Sequence, residues 1–289
     1  MSLSHSHNII VVAGPTASGK TDFAIALAHT HNGEIISADS RQVYRGLDIG
    51  TGKVRPEEME GISHHMLDVI DIGEPFSVAE YAKRARPIVE DILHRGKTPI
   101  ICGGTGQYID ALIYDTDVPG VPPNQTLREE LEQKDVDTLF QELAEKDPYR
   151  ADTVDRYNKV RLIRALEIVH ELGYVPPVVT PKLLYPTELY LMSPDRDVLR
   201  ARITKRLATR LEQGMIEEVR ALMAQGFTSD SMKKFGLEYE VIGAYLEGTL
   251  TEDEMKDILI TKSMQYAKRQ QTWNKKYLPF ATIVDIDTV

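Results

Sequence analysis

An α/β fold, with a parallel sheet flanked by helices on both faces and interrupted by an all-helical insertion, is predicted by three features of this 289-residue chain. Short β-rich runs alternate with helical ones through its first third. An apolar run, NIIVVA, passes through a glycine-containing loop into the helical run DFAIALAH. Two proline clusters, VPGVPP at 118–123 and VPPVVTPKLLYP at 175–186, bracket a charged, helix-patterned stretch with no convincing strand.

The elements follow in order. After NIIVVA and its helix, EIISADS leads into a polar loop, and a helix around Val78 to Arg95 precedes TPIICGG. Such alternation reads as βαβ units, which build a parallel sheet. Proline breaks helices and central strands, so the two clusters mark the limits of an inserted subdomain, or of a long helical excursion packed flat on the core. The punctuation sets the expected core at 1–118 and 187–289, with the insertion at 119–186. Beyond it, ELYLMSP resembles a returning strand. The following helix carries Arg202, Arg206 and Arg210 four residues apart, which stacks them on one face. That row is either a solvated stripe or an anion-facing one.

Composition narrows the setting. No window approaches the run of about 18 apolar residues that a membrane helix needs, and MSLSHSHNII lacks the basic start of a signal peptide. The single cysteine, Cys102, rules out an intrachain disulfide and a cysteine-based zinc site, so a reducing cytosol is expected. A net charge of −10 speaks weakly against a polyanionic partner, but local patches matter more than the total. Six Lys/Arg stand against one Asp from Arg196 to Arg210, and again from Lys256 to Lys276. A nucleic-acid face therefore has room late in the chain.

Gly14, Pro15, Thr16, Ala17, Ser18, Gly19, Lys20 and Thr21 spell GPTASGKT, the G-x-x-x-x-G-K-[ST] phosphate loop, with the strand before it and the helix after it that the motif requires. Its backbone N–H groups and helix N-terminus hold phosphate oxygens, Lys20 adds a charge, and the Thr21 hydroxyl can bind Mg²⁺. The sheet is thus expected to be P-loop NTPase-like. A nucleotide hydrolase would usually end a later strand in a metal-holding acid, whereas TPIIC ends in Cys102-Gly103-Gly104-Thr105. The second strand instead delivers Asp39 and Ser40 at its carboxyl end, where parallel α/β sheets place their ligands. Asp39 there can act as a general base for an acceptor, cap a helix or stand behind a metal. Thr105, in GGTGQY, is suited to a phosphate contact or to a plain strand-to-helix turn.

His64 and His65, in GISHHMLDVID, have no third ligand at a telling spacing and read as loop or core histidines. In TKSMQYAKRQQTW, Lys268 and Arg269 lie between Tyr266 and Trp273. That pattern suits a nucleic-acid backbone or exposed base, and equally an ordinary surface helix with a packed Trp.

Taken in order, GPTASGKT, ISADSRQVYRGLDIGTGK, ICGGTGQYI, VRLIRALEI, the Arg202 to Glu218 stretch ending GMIEEV, and YAKRQQTW resemble the bacterial tRNA dimethylallyltransferases from about residue 8 to about residue 280. The resemblance implies transfer of a dimethylallyl group from dimethylallyl diphosphate to N6 of adenosine 37, beside the tRNA anticodon, with release of diphosphate. It implies a P-loop core like that of small kinases, a helical insertion gripping the anticodon stem-loop, and Mg²⁺ as cofactor; a monomer is expected. Carried over residue by residue, 14–21 would bind the donor diphosphate, with Mg²⁺ at Thr21. Asp39 would be the general base, Lys20, Thr105 and Arg206 would join it in catalysis, and Arg206 would clamp the diphosphate. The tRNA would be touched by Asp39, Ser40, Arg41, Gln42 and Thr105, by Arg128, Val160, Arg161, Leu162, Ile163 and Arg164, and by Lys268 and Arg269. One departure is clear: the family tract often reads KRQLTWF, and this chain has KRQQTWN. A Phe after Trp273 cannot be assumed.

Overall fold

The computed structural model describes residues 8–115, 120–177 and 182–285. The first strand, β1 (Ile9–Ala13), is buried along its whole length and runs through the phosphate loop into α1 (Lys20–His31). Next come β2 (Gly33–Ser37), the two-residue β3 (His64–His65), α2 (Val78–His94), β4 (Thr98–Gly103) and α3 (Gly106–Ile113). A helical stretch follows, with α4 (Gln125–Glu132), α5 (Val136–Lys146), α6 (Pro148–Thr153) and α7 (Lys159–Leu172). The chain then forms β5 (Thr187–Met192), α8 (Arg196–Glu212), α9 (Met215–Ala224), α10 (Ser229–Met232), α11 (Leu237–Leu246), α12 (Glu252–Asn274) and β6 (Ala281–Val284).

All six strands are parallel, in the order β3-β2-β4-β1-β5-β6. Strand side chains alternate between faces. Ile10, Val12, Ile35 and Ile100 pack with Ala24, Ile25 and Ala28 of α1, while Ile9, Val11, Ile36 and Ile101 point the other way and are also buried. A sheet covered on both faces needs the near-continuous apolar runs seen here. Since β1 lies between β4 and β5, the order of connections reverses at its carboxyl end, which opens a crevice there.

The chain divides into two compact units, Met1–Ile113 with Leu183–Val289, and Tyr114–Lys182. The second differs from the expected 119–186 because contacts, not prolines, set its limits. Leu183 to Pro186 belong to the sheet unit: the Leu184 N–H donates to the Ile113 carbonyl at 2.9 Å and the Ile9 N–H to the Pro186 carbonyl at 3.0 Å. Within the helical unit each helix starts on an Asn or Asp side chain, Asn124, Asp135, Asp147 or Asn158, that accepts a first-turn N–H. Its core joins Leu131, Leu139, Leu143, Leu162, Leu166 and Val169. Among the described residues no helix is long and apolar enough to cross a membrane.

Two strands are absent from the sequence reading. His64 and His65 form an edge strand paired with Ile35 and Ile36, not a loop, and Ala281–Val284 pairs with β5.

Candidate active site

The carboxyl ends of β1, β2 and β4 bring three loops together in the sheet unit. After β1, Gly14 sits against β5 so tightly that a Cβ there would lie 2.7 Å from Met192 Cβ and 2.9 Å from the Met192 carbonyl oxygen. Gly19, at φ 81°, takes the left-handed conformation that turns the loop into α1. The first N–H groups of α1 have no intrahelical acceptor and carry the positive end of the helix dipole. Among the described residues the fully buried Ser18 hydroxyl has no hydrogen-bond partner, an oxygen left over inside the loop. The Lys20 ammonium donates to the Pro15 carbonyl at 2.6 Å. Burial pushes its pKa down to about 8, and nearby Arg206 works in the same direction against Cys102 and Asp39.

One N–H of the loop is already taken. Thr16 donates to Oε1 of Gln270 at 2.7 Å, while Nε2 of the same buried amide donates to the Gly104 carbonyl at 3.0 Å. Gln270, on α12, thus ties the phosphate loop to the end of β4. A Cβ on Gly104 would stand 2.0 Å from that Nε2. Sequence reasoning missed Gln270 because the charged Lys268 and Arg269 beside it drew the reading of YAKRQQTW; the motif itself was the available signal.

After β2, the Asp39 carboxylate accepts the Arg41 N–H at 2.8 Å, which fixes the turn. Ser40 N–H donates to the Thr105 hydroxyl at 3.0 Å, and Thr105 N–H donates to the Ala38 carbonyl at 3.0 Å. Thr105 therefore braces the Asp39 loop from the end of β4. Gln42 accepts the Ser37 hydroxyl at 3.0 Å and donates to the Gly52 carbonyl at 3.2 Å, and Arg41 donates to the Lys234 carbonyl.

From α8, the Arg206 guanidinium donates to the Thr16 hydroxyl. Burial, then Arg210, lowers its pKa, with Glu238 and Asp39 opposing. A guanidinium stays charged at neutral pH despite this. Arg210 is buried, 3.4 Å from the Gly50 carbonyl and 3.8 Å from Glu238. Arg202, Arg206 and Arg210 all line one hollow with residues 17–21 of the phosphate loop and Asp22 of α1, so the row faces that loop.

Three hollows share Arg206 as a wall. One holds Lys20, Thr21, Asp39 and His64 on its lining. A second opens on the phosphate-loop side, and a third opens past Asp39, Ser40, Arg41, Tyr266 and Arg269. Lys20 and Thr21 of the phosphate loop, Asp39 and Arg206 thus line one hollow together, and Arg206 also lines the two others.

Other residues expected at the site are placed differently. Lys268 and Arg269 are exposed, with the Arg269 guanidinium 5.6 Å from the centre of the Tyr266 ring. Trp273 packs against Gly106, where a Cβ would be 2.0 Å from the indole, so the indole is packed inside the sheet unit. In the helical unit, Val160 and Arg161 are exposed at the start of α7, but Leu162 and Ile163 are buried in the core. A five-residue tRNA contact through 160–164 cannot include them, because a helix turns part of any such run inward. Arg128 and Arg164 turn to Glu167: Arg128 meets it through two 2.8 Å bonds, and Arg164 at 3.3 Å. Burial opposes the Glu167 carboxylate, yet Arg128, the Asn124 N–H and Arg164 outweigh it and hold the pKa low. The hydrogen bonds of these two arginines therefore organise their own unit. Among the described residues no group of three or more His, Cys, Asp or Glu side chains could hold a metal, at His64 and His65 or elsewhere.

Fold and site together define a P-loop protein of the parallel α/β class in which the phosphate loop shares one hollow with an arginine of α8 and with the carboxylate that follows β2, one strand removed from β1. The chain belongs to the IPP transferase family, whose model matches residues 42–277. It is 44% identical over 275 residues to a tRNA dimethylallyltransferase of Anoxybacillus flavithermus, covering 94% of this chain and 88% of the relative. The tRNA isopentenylpyrophosphate transferase of Bacillus halodurans superposes with a TM-score of 0.72 at 37% identity, over 96% of this chain and 90% of that one. A eukaryotic dimethylallyltransferase solved acting on tRNA gives a TM-score of 0.84 at 28% identity, over 97% of this chain and 74% of that one.

Proposed function

We propose that this chain transfers the dimethylallyl group of dimethylallyl diphosphate to N6 of adenosine 37 in the anticodon loop of tRNA, releasing diphosphate, and that it works as a monomer in the cytosol. The observation that carries this reading is the single hollow lined by Lys20 and Thr21 of the phosphate loop, by Arg206 and by Asp39. A donor seated on the phosphate loop and an acceptor beside Asp39 would meet in it.

The C1–O bond of the donor breaks as the C1–N6 bond forms, so negative charge grows on the departing diphosphate. The N–H groups at the start of α1, Lys20 and Arg206 neutralise that charge where it develops. No phosphoryl group moves, so the acid missing after β4 is not needed. Asp39 orients the N6–H and takes its proton, with Thr105 holding the Asp39 turn in place through Ser40. Adenine must leave its stack to enter, at a cost of a few kcal/mol that is least for loop nucleotides.

The Thr21 hydroxyl, beside Lys20 on the cavity wall, fits Mg²⁺ as a single protein oxygen. That ion keeps several waters and draws much of its shell from phosphates, so a protein cage is not required. When bound it would add positive charge beside the leaving group. The tRNA would be met by Asp39 to Gln42, by Lys268 and Arg269, and by the exposed Val160 and Arg161.

The test mixes the protein with unmodified tRNA, free AMP, Mg²⁺ and dimethylallyl diphosphate and follows the five-carbon mass by mass spectrometry. Gain on tRNA alone is expected. Gain on AMP would replace the acceptor, and ATP consumption without any response to the prenyl donor would replace the reaction by a kinase. In the same assay Asp39→Ala should keep tRNA binding and lose about 10² to 10⁴-fold in kcat; near-normal turnover would remove Asp39 from its role.

A further inference from the structure

The motif GMIEEV has no part in the chemistry above, yet its Glu218 makes a dense set of contacts. Near the start of α9, this half-buried carboxylate accepts three consecutive backbone N–H groups, Asp48 at 3.1 Å, Ile49 at 2.8 Å and Gly50 at 2.9 Å, and the Tyr239 hydroxyl at 2.7 Å. Three successive amides aimed at one carboxylate fix a loop far more tightly than a single bond would, because each bond restrains a different peptide plane. The Tyr239 ring closes the clamp from below: a Cβ on Gly50 would lie 2.6 Å from its Cζ.

The clamped loop borders all three hollows. Gly52 lines the first and second, and Gly50 and Thr51 line the third. The Gly50 carbonyl receives Arg210, whose guanidinium presses on Gly52 so closely that a Cβ there would be 1.5 Å away. The Gly52 carbonyl receives Gln42 from the Asp39 loop. Arg206 stands one helical turn before Arg210 on α8.

We infer that Glu218 is a positioning residue for the transfer reaction, acting through the Gly50–Gly52 loop and Arg210 to set where the Arg206 charge stands between donor and acceptor. This rests on the proposed function for its kinetic meaning, though not for its structural one.

The full-length Glu218→Gln variant tests it. An amide of the same size turns an NH₂ toward backbone donors and cannot accept all three. We expect kcat to fall by about 10- to 100-fold, as small misplacements of a charged group do, with weaker magnesium pyrophosphate binding by calorimetry and tRNA KM unchanged. Unchanged kcat and pyrophosphate affinity would overturn the inference, as would a parallel loss of donor and tRNA binding that tracks a fallen Tm. Should Glu218→Gln not fold, Tyr239→Phe removes one bond to the carboxylate while leaving the ring on Gly50, and the same selective loss of kcat, smaller in size, is expected; its absence overturns the inference. In a double-mutant cycle with Arg210→Lys, residues acting through one another give a double variant little worse than Arg210→Lys alone. Additive losses would place Glu218 outside this path. A wild type that transfers nothing to tRNA, but whose pyrophosphate affinity still depends on Glu218, would sink the proposed function and leave the positioning role standing.

Discussion

Lys20 is held in surroundings that oppose its charge, and this gives the phosphate loop a pH dependence of definite sign. Its pKa of about 8 in the folded chain lies below the ordinary 10.5, mainly through burial. The ammonium is therefore mostly present at pH 7 and is lost as pH rises through about 8. A bound diphosphate favours the charged form, so binding above that point must also take up a proton. Beyond the ligand's own ionisation, which the Lys20→Met comparison shares, pyrophosphate affinity should weaken by up to about tenfold per pH unit between about 8 and 9.5, the limit for linkage to one proton. Calorimetric titration across that range checks it, with Lys20→Met as the comparison, expected to bind more weakly at pH 7 and to lack the step. A flat wild-type profile would mean that Lys20 does not meet the phosphate. At this scale the sequence was readable: strand, glycine turn, Lys20 and helix are neighbours in the chain, and the motif specifies their geometry locally. Leu162 and Ile163 were misplaced for the opposite reason. The family motif is a contiguous run, whereas the helix divides that run between surface and core.

Elements that converge from distant parts of the chain were harder to read. Gln270 of α12 joins Thr16 to Gly104, partners 254 and 166 residues away. No local pattern encodes that meeting. Gln270→Ala leaves the Thr16 N–H and the Gly104 carbonyl without this partner, at a cost of about 1–3 kcal/mol for an unsatisfied buried group. Urea denaturation should register that loss, and donor KM should rise because the phosphate loop is freed; unchanged donor kinetics would make Gln270 a packing residue only. The same distance problem left the arginine row of α8 open in sequence. Spacing aligned the three side chains, but the phosphate loop they face lies nearly two hundred residues earlier. The strands sort by the same logic. Those with buried apolar runs were visible, whereas β3 has two residues, too few to show a period, and β6 is an edge strand with Ile283 half exposed.

At the scale of the whole molecule, a division of work between the two compact units can be tested by excision. Every residue lining the three hollows belongs to the sheet unit. The helical unit leaves and re-enters that unit at adjacent points, since the Leu184 N–H bonds the Ile113 carbonyl at 2.9 Å. It also has its own apolar core. Replacing 114–182 by a short Gly-Ser link between Ile113 and Leu183 should therefore leave the sheet and the three hollows folded, and magnesium pyrophosphate should bind as in the full chain. Transfer to tRNA should collapse, because the exposed Val160 and Arg161 leave with the insertion while Asp39 to Gln42, Lys268 and Arg269 stay. Salt sensitivity separates this from general damage. Each phosphate contact removed should flatten the plot of log affinity against log salt by about 0.7 to 0.9, so a variant that binds tRNA weakly with a shallower slope has lost part of its tRNA surface. A variant that keeps full tRNA affinity and slope would instead confine recognition to the sheet unit, with Lys268 and Arg269 as its basic contacts.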